Sequence, residues 1–161
     1  MSEKSADDKV SSLVGRKAID FYSWGHICFG IATFLLLSLI DNVPTYVTGM
    51  LIYIIPWWTM IVLVIAVAII WEILENTLLL SLSLKFEGRR DSFTNATWDV
   101  IFAIIGSTSI WILKGILINL MSVQNMIWFY VISIGAFFVC LIALLIGYFS
   151  YKNKKKKNNQ I

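Results

Sequence analysis

The chain has 161 residues, 58% of them hydrophobic and 14% charged, with a formal net charge of +3 and a mean hydropathy of +0.78. Ordinary globular domains carry roughly 45–50% apolar and about 25% charged residues, and a chain this short has too little interior to hide so much apolar surface from water. That excludes a cytosolic enzyme, a secreted disulfide scaffold and a nucleic-acid-binding domain, and makes lipid the expected solvent.

In chain order, residues 1–20 are polar and mixed in sign, with no apolar core, so no cleaved signal peptide is expected. They read as a cytoplasmic N-terminal segment. Residues 21–40 form the first apolar run, and about 20 such residues cross a bilayer as a helix. Asp41, Asn42 and Pro44 are expected to end it. The second run covers about residues 56–80 and opens on Pro56, whose missing N–H is not needed in a first helical turn. The third and fourth cover about 95–120 and 126–151, followed by a Lys-rich cytoplasmic tail at 152–161. Only helices or closed barrels satisfy the backbone inside lipid, and unbroken apolar runs select helices. The expected fold is an all-α integral membrane protein, a four-transmembrane-helix bundle over residues 21–151.

Orientation follows from the basic residues, because Lys and Arg are retained on the cytoplasmic side. Lys4, Lys9, Arg16 and Lys17 precede helix 1. Lys85, Arg89 and Arg90 lie between helices 2 and 3, and Lys152 with Lys154 to Lys157 follow helix 4. Twelve of the 13 Lys and Arg residues therefore mark one side. Both termini are expected in the cytoplasm, with the chain multi-pass in the inner or plasma membrane. Lys114, the exception, is expected to snorkel to the far surface. Trp57 and Trp58 at one edge, and Phe21, Tyr22, Trp24, Tyr148 and Tyr151 at the other, fit interfacial belts. Cys28 and Cys140 fall inside spans and read as reduced thiols, in the absence of any C-x-x-C or His-rich motif. Asn95-Ala96-Thr97 is a glycosylation sequon by composition, but it lies on the cytoplasmic side and reads as chance. The Lys tail adds affinity for anionic lipid.

The informative residues are ionisable groups within the spans. Helix 1 carries His26, helix 2 carries Glu72 and Glu75, and helix 3 carries Asp99. A charge at the bilayer centre costs about 2.5–3.5 kcal/mol on insertion scales, so such groups usually face a bundle interior and serve a site. At 1.5 Å per residue these four lie roughly 6–12 Å in from the cytoplasmic helix ends, in one slab. Glu72, Glu75 and Asn76 share a helix face by their i, i+3, i+4 spacing. Arg89, Arg90 and Asp91 lie in the loop beneath. Gly25, Gly30 and Gly106 thin helices 1 and 3, as close helix packing in lipid requires. Two carboxylates on one face do not both ionise cheaply at low dielectric. Three outcomes stay open: a shared proton for acid–base chemistry or proton coupling, a divalent cation held by Glu72, Glu75, Asp99 and His26, or an ion-pair network that only locks the bundle. Arg90, with Arg89 and Asn76, is the expected contact to an anion or headgroup. Asp20 and Asp41, at the expected helix ends, need no special role.

The order of these residues resembles the VanZ-like superfamily of small polytopic membrane proteins. The matching strings are Gly25-His26, Trp71-Glu72-x-x-Glu75-Asn76-Thr77, Arg90-Asp91-Ser92-x-x-Asn95-x-x-x-Asp99 and Gly106, closest to an uncharacterised bacterial branch. They lie within residues 24–30 and 71–106. Many members carry Asn four residues after the second Asp, where this chain has Ala103. The resemblance implies the envelope membrane and, for some members, a link to glycopeptide antibiotic resistance, but no reaction. The expected function is binding or modification of a lipid or isoprenoid-linked envelope precursor headgroup, with membrane lipid as partner and no nucleic acid. The rival is an ion- or proton-coupled transporter subunit. Four helices make a narrow conduit unless the chain forms a homo-oligomer, and the outer half of the bundle is expected to lack matching polar residues.

Overall fold

The computed structural model describes residues 14–15, 17–85 and 88–158. Lys4, Lys9 and Arg16, which contribute to the expected orientation, lie outside the described residues. Helix α1 covers Ser23–Thr48, α2 covers Trp57–Leu74, α3 covers Phe93–Lys114 and α4 covers Met126–Asn158. Helix α2 runs on through a π-helical turn, Glu75–Leu79, and α3 through another, Gly115–Met121. Among the described residues there is no strand, and four helices are long and apolar enough to cross a membrane.

Helix α1 is longer than expected. It continues past Asp41 and Asn42 and through Pro44 to a left-handed Gly49, whose N–H closes on the Thr45 carbonyl. Proline in a membrane helix is tolerated where neighbouring groups compensate the lost hydrogen bond. Here Ser38, Asp41, Asn42 and Thr45 form a buried stripe with tertiary partners, so residues that read as a helix stop are an inward face. Helix α3 starts at Phe93, capped by the Ser92 hydroxyl, which accepts the Asn95 N–H at 3.1 Å. Helix α4 carries on through the Lys tail, placing Lys155, Lys156 and Lys157 in its last turn, where cations suit the helix dipole.

Helices α1 and α3 run parallel and make the closest contact. A Cβ on Gly30 would collide with the Ala103 carbonyl, and one on Gly106 with that of Ile27. The absent side chains let the two backbones touch. Ala103 is fully buried in this contact. Helix α4 packs antiparallel on α1: Leu144 lies at Gly25, Phe21 at Gly147, and the Cys28 thiol reaches the Phe137 carbonyl at 3.4 Å. Both cysteines are free thiols. The apolar core gathers Ile31, Phe34, Met60, Val64, Ile110 and Phe129. Outward, α2 and α4 expose Val62, Ile70, Ile73, Val139, Ile142 and Ile146, a surface suited to lipid rather than water.

Candidate functional site

The expected slab of ionisable groups is a physical cluster at the end of the bundle that carries Lys85 and Arg89. His26 is its hub. Its Nδ1 lies 3.4 Å from Glu72 Oε1, and its Nε2 lies 3.6 Å from Asp99 Oδ2. One ring thus bridges α2 and α3 from α1. Glu72 and Asp99 are buried, at 7% and 3% exposure. Ligand atoms of His26, Glu72 and Glu75 lie within 4.8 Å of one another. Asn95, one turn before Asp99, donates its amide to Asp99 Oδ2. Three buried acceptors are left without a hydrogen-bond partner: Glu72 Oε1, Asp99 Oδ1 and Asn95 Oδ1. Such groups cost free energy unless a ligand or water satisfies them.

The π turn at Glu75–Leu79 begins within this cluster. Such a turn re-aims side chains and is frequent at functional sites. It lets Glu75 and Asn76 turn towards the 85–91 loop while Glu72 stays against His26.

The mouth differs from the expected one. Arg90 is exposed and does not line the cavity. The cation at the site is Lys85, which reads in the sequence only as an orientation signal. It is 8% exposed, donates to Asn76 Oδ1 at 2.9 Å, lies 3.4 Å from Glu75 Oε1 and pairs closely with Asp91. Asn76 is consumed as scaffold, not free for a headgroup: its oxygen also accepts the Asp91 N–H at 2.8 Å, and its amide donates to the Glu72 carbonyl at 3.0 Å. Arg89 lines the cavity and donates to the Val14 carbonyl at 2.7 Å.

A strap closes this mouth. The Gly15 carbonyl accepts the Ser92 N–H at 2.8 Å, and Asp20 accepts the N–H groups of Gly15 and Tyr22 at 2.9 and 2.8 Å. Asp20, read as a mere helix end, therefore folds the segment that covers the site. Gly15 takes a positive φ of 71° there, with no space for a Cβ against the Asp91 carboxylate. The cavity beneath, lined by His26, Glu75, Lys85, Arg89, Asn95 and Asp99 among others, measures about 20 Å³. That is room for one water molecule or one ion.

A second polar cluster lies at the opposite end of the bundle, where none was expected. Lys114 does not snorkel: it is 6% exposed, with its Nζ 3.6 Å from Asp41 Oδ2. Asp41 Oδ1 accepts the N–H groups of Ile54 and Ile55 at 2.8 and 3.0 Å. The Thr45 hydroxyl accepts the Ile52 N–H at 2.9 Å. These bonds staple the loop after α1 back onto the helix. Asn42 donates to the Tyr130 hydroxyl at 3.0 Å. A cavity of about 780 Å³ forms a groove beside this cluster, lined by Trp57, Trp111, Ile116 and Leu120 among others and by no charged group.

No protein-family model, curated protein or solved structure matches the chain.

Proposed function

We propose that this chain is a VanZ-like integral membrane protein of the cell envelope, with cytoplasmic termini, that binds a lipid or isoprenoid-linked precursor headgroup at the His26–Glu72–Glu75–Asp99 pocket. The observation that carries the reading is the set of buried acceptors without partners, at the end of the bundle where the basic residues gather. Polar groups held a few ångströms below the headgroup level meet headgroups before any other ligand. With about 20 Å³ of space, the closed pocket admits only a single ion or a headgroup's outermost polar atom. A larger group enters when Val14 and Gly15 lift from Arg89 and Ser92. Lys85 and Arg89, rather than Arg90, then meet its negative charge.

One observation favours a transporter: the buried Asp41–Lys114 pair supplies ionisable groups at the far end as well. Between the two ends, however, Phe34 on α1 and Ile110 on α3 sit in a packed apolar layer with Met60 and Val64, and Asp41 is committed to loop N–H groups. This arrangement favours binding over conduction.

Native mass spectrometry of the detergent-purified protein tests the reading. Wild type is expected to retain a phosphate-bearing lipid, and folded Glu72→Gln and Asp99→Asn variants to lose at least about tenfold in occupancy, or about 1.4 kcal/mol. Undiminished lipid in both variants would overturn the proposal. Unfolding of both, with no lipid on wild type, would leave the cluster as a helix lock.

A further inference from the structure

We infer that the pocket holds one divalent transition-metal ion, bound by His26 through Nδ1 and by Glu72 and Glu75, with Asp99 outside the coordination shell as the carboxylate that orients the imidazole. The inference rests on this pocket being a ligand site, but not on that ligand being a lipid.

Four observations converge. First, His26 Nδ1 and Glu72 Oε1 stand 3.4 Å apart, and Glu72 Oε1 has no hydrogen-bond partner. That spacing is long for a charge-assisted hydrogen bond, which closes to about 2.7–2.9 Å. It matches the edge of a tetrahedron whose arms are about 2.0–2.1 Å, as imidazole and carboxylate ligands of zinc require. Second, Glu75 offers a ligand atom within 4.8 Å of one on His26 and one on Glu72, close enough for a side-chain rotation to complete a three-ligand face. His26 and Glu75 also line the small cavity.

Third, Asp99 is on the wrong side of the ring to be a ligand beside Nδ1. It faces Nε2, at 3.6 Å, while Asn95 holds its Oδ2. A metal-bound histidine nearly always donates its second N–H to a carboxylate or carbonyl, which fixes the tautomer and raises ligand basicity. Asp99 on α3 is the carboxylate nearest that N–H, a small side-chain shift would close the spacing to a hydrogen bond, and Asn95 fixes Asp99 in turn. Fourth, carboxyl groups outnumber basic side chains around the pocket, and a bound cation is one way to neutralise the surplus. Asp20, Glu72, Glu75, Asp91 and Asp99 gather around the pocket against Lys85 and Arg89. Lys85 is divided between Glu75 and Asp91, so the carboxyls of Glu72 and Asp99 are neutralised either by protons or by a bound cation.

Donor chemistry narrows the ion. Imidazole with carboxylates suits zinc, manganese or iron, whereas calcium asks for six to eight oxygens and magnesium for an octahedron of them. The sequence pattern offers all four side chains as equivalent ligands; the ring's orientation separates three ligands from one positioning residue.

The test strips full-length protein with chelator in detergent, then titrates Zn²⁺, Mn²⁺, Mg²⁺ and Ca²⁺ separately, reading stoichiometry by elemental mass spectrometry. Co²⁺ absorption reports the ligand set. Wild type is expected to take up one Zn²⁺ or Mn²⁺ per chain, and Mg²⁺ and Ca²⁺ not to displace it. His26→Ala, Glu72→Gln and Glu75→Gln should abolish uptake. Asp99→Asn should keep the stoichiometry and the cobalt spectrum but weaken affinity about 10–100-fold. Absence of uptake by folded wild type would overturn the inference, and so would binding of Mg²⁺ or Ca²⁺ alone. An Asp99→Asn protein that loses the ion while Glu75→Gln keeps it would overturn the assigned geometry. Because wild type alone decides whether an ion binds, variants that fail to fold do not shelter the inference. Metal without lipid would keep this site and remove the headgroup reading, whereas lipid without metal would do the reverse.

Discussion

A buried charge keeps its place only where another group answers it, and two lysines of this chain show the consequence. Lys114 and Asp41 compensate each other at the far end of the bundle. Removing one partner of a buried pair leaves the other charge stranded, at a cost of about 3–5 kcal/mol. Lys114→Met is therefore expected to lower the melting temperature in detergent sharply. Adding Asp41→Asn should recover part of the loss, since the amide oxygen still accepts the Ile54 and Ile55 N–H groups. At the other end, Lys85→Met strands Glu75 and Asp91, whereas exposed Arg90→Met should stay within about 0.5 kcal/mol of wild type. Equal melting temperatures for these two variants would contradict the placement of Lys85 as the site's cation. In the sequence the two positions look alike, as basic residues in one short loop. Burial separates them, and burial is a property of the packed loop.

At the scale of elements, the α1–α3 contact and the strap carry the weight. Gly30→Ala pushes a methyl into the Ala103 carbonyl, and such overpacking costs about 1–3 kcal/mol. Gly135 on α4 has open space around it, so Gly135→Ala should be neutral or slightly stabilising. Thermal melts of the pair check this; a harmless Gly30→Ala would mean that α1 and α3 do not touch. Gly15→Val combines a disfavoured positive φ with a clash against Asp91. It should loosen the strap and speed hydrogen exchange at Tyr22 and Ser92 N–H relative to the α3 interior. Helices α2 to α4 start near where their apolar runs predict. The end of α1 was not legible: Asp41, Asn42 and Pro44 are stop signals by type, and only the partners of Asp41 and Asn42 on Tyr130, Lys114 and the 54–55 backbone turn those two into an inward stripe. The π turn at Glu75 likewise leaves no mark in the residue pattern, because it depends on what α2 packs against.

For the whole molecule, orientation is the open quantity with the sharpest test. In a Cys28→Ser, Cys140→Ser background, Met50→Cys is expected to react with an impermeant thiol reagent added to intact cells, and Asn153→Cys only after lysis. The opposite pattern would invert the assigned topology. The sequence by itself determined four helices long and apolar enough to cross a membrane, and that His26, Glu72, Glu75 and Asp99 sit towards one end of them, because hydropathy and helical rise are properties of single segments. Tertiary structure alone decided which face of the His26 ring meets which carboxylate, that Lys85 rather than Arg90 enters the site, and that Asp41 and Lys114 find each other. Those facts depend on how helices distant in sequence rotate against one another, and in this bundle the Gly30–Ala103 and Ile27–Gly106 contacts set that rotation.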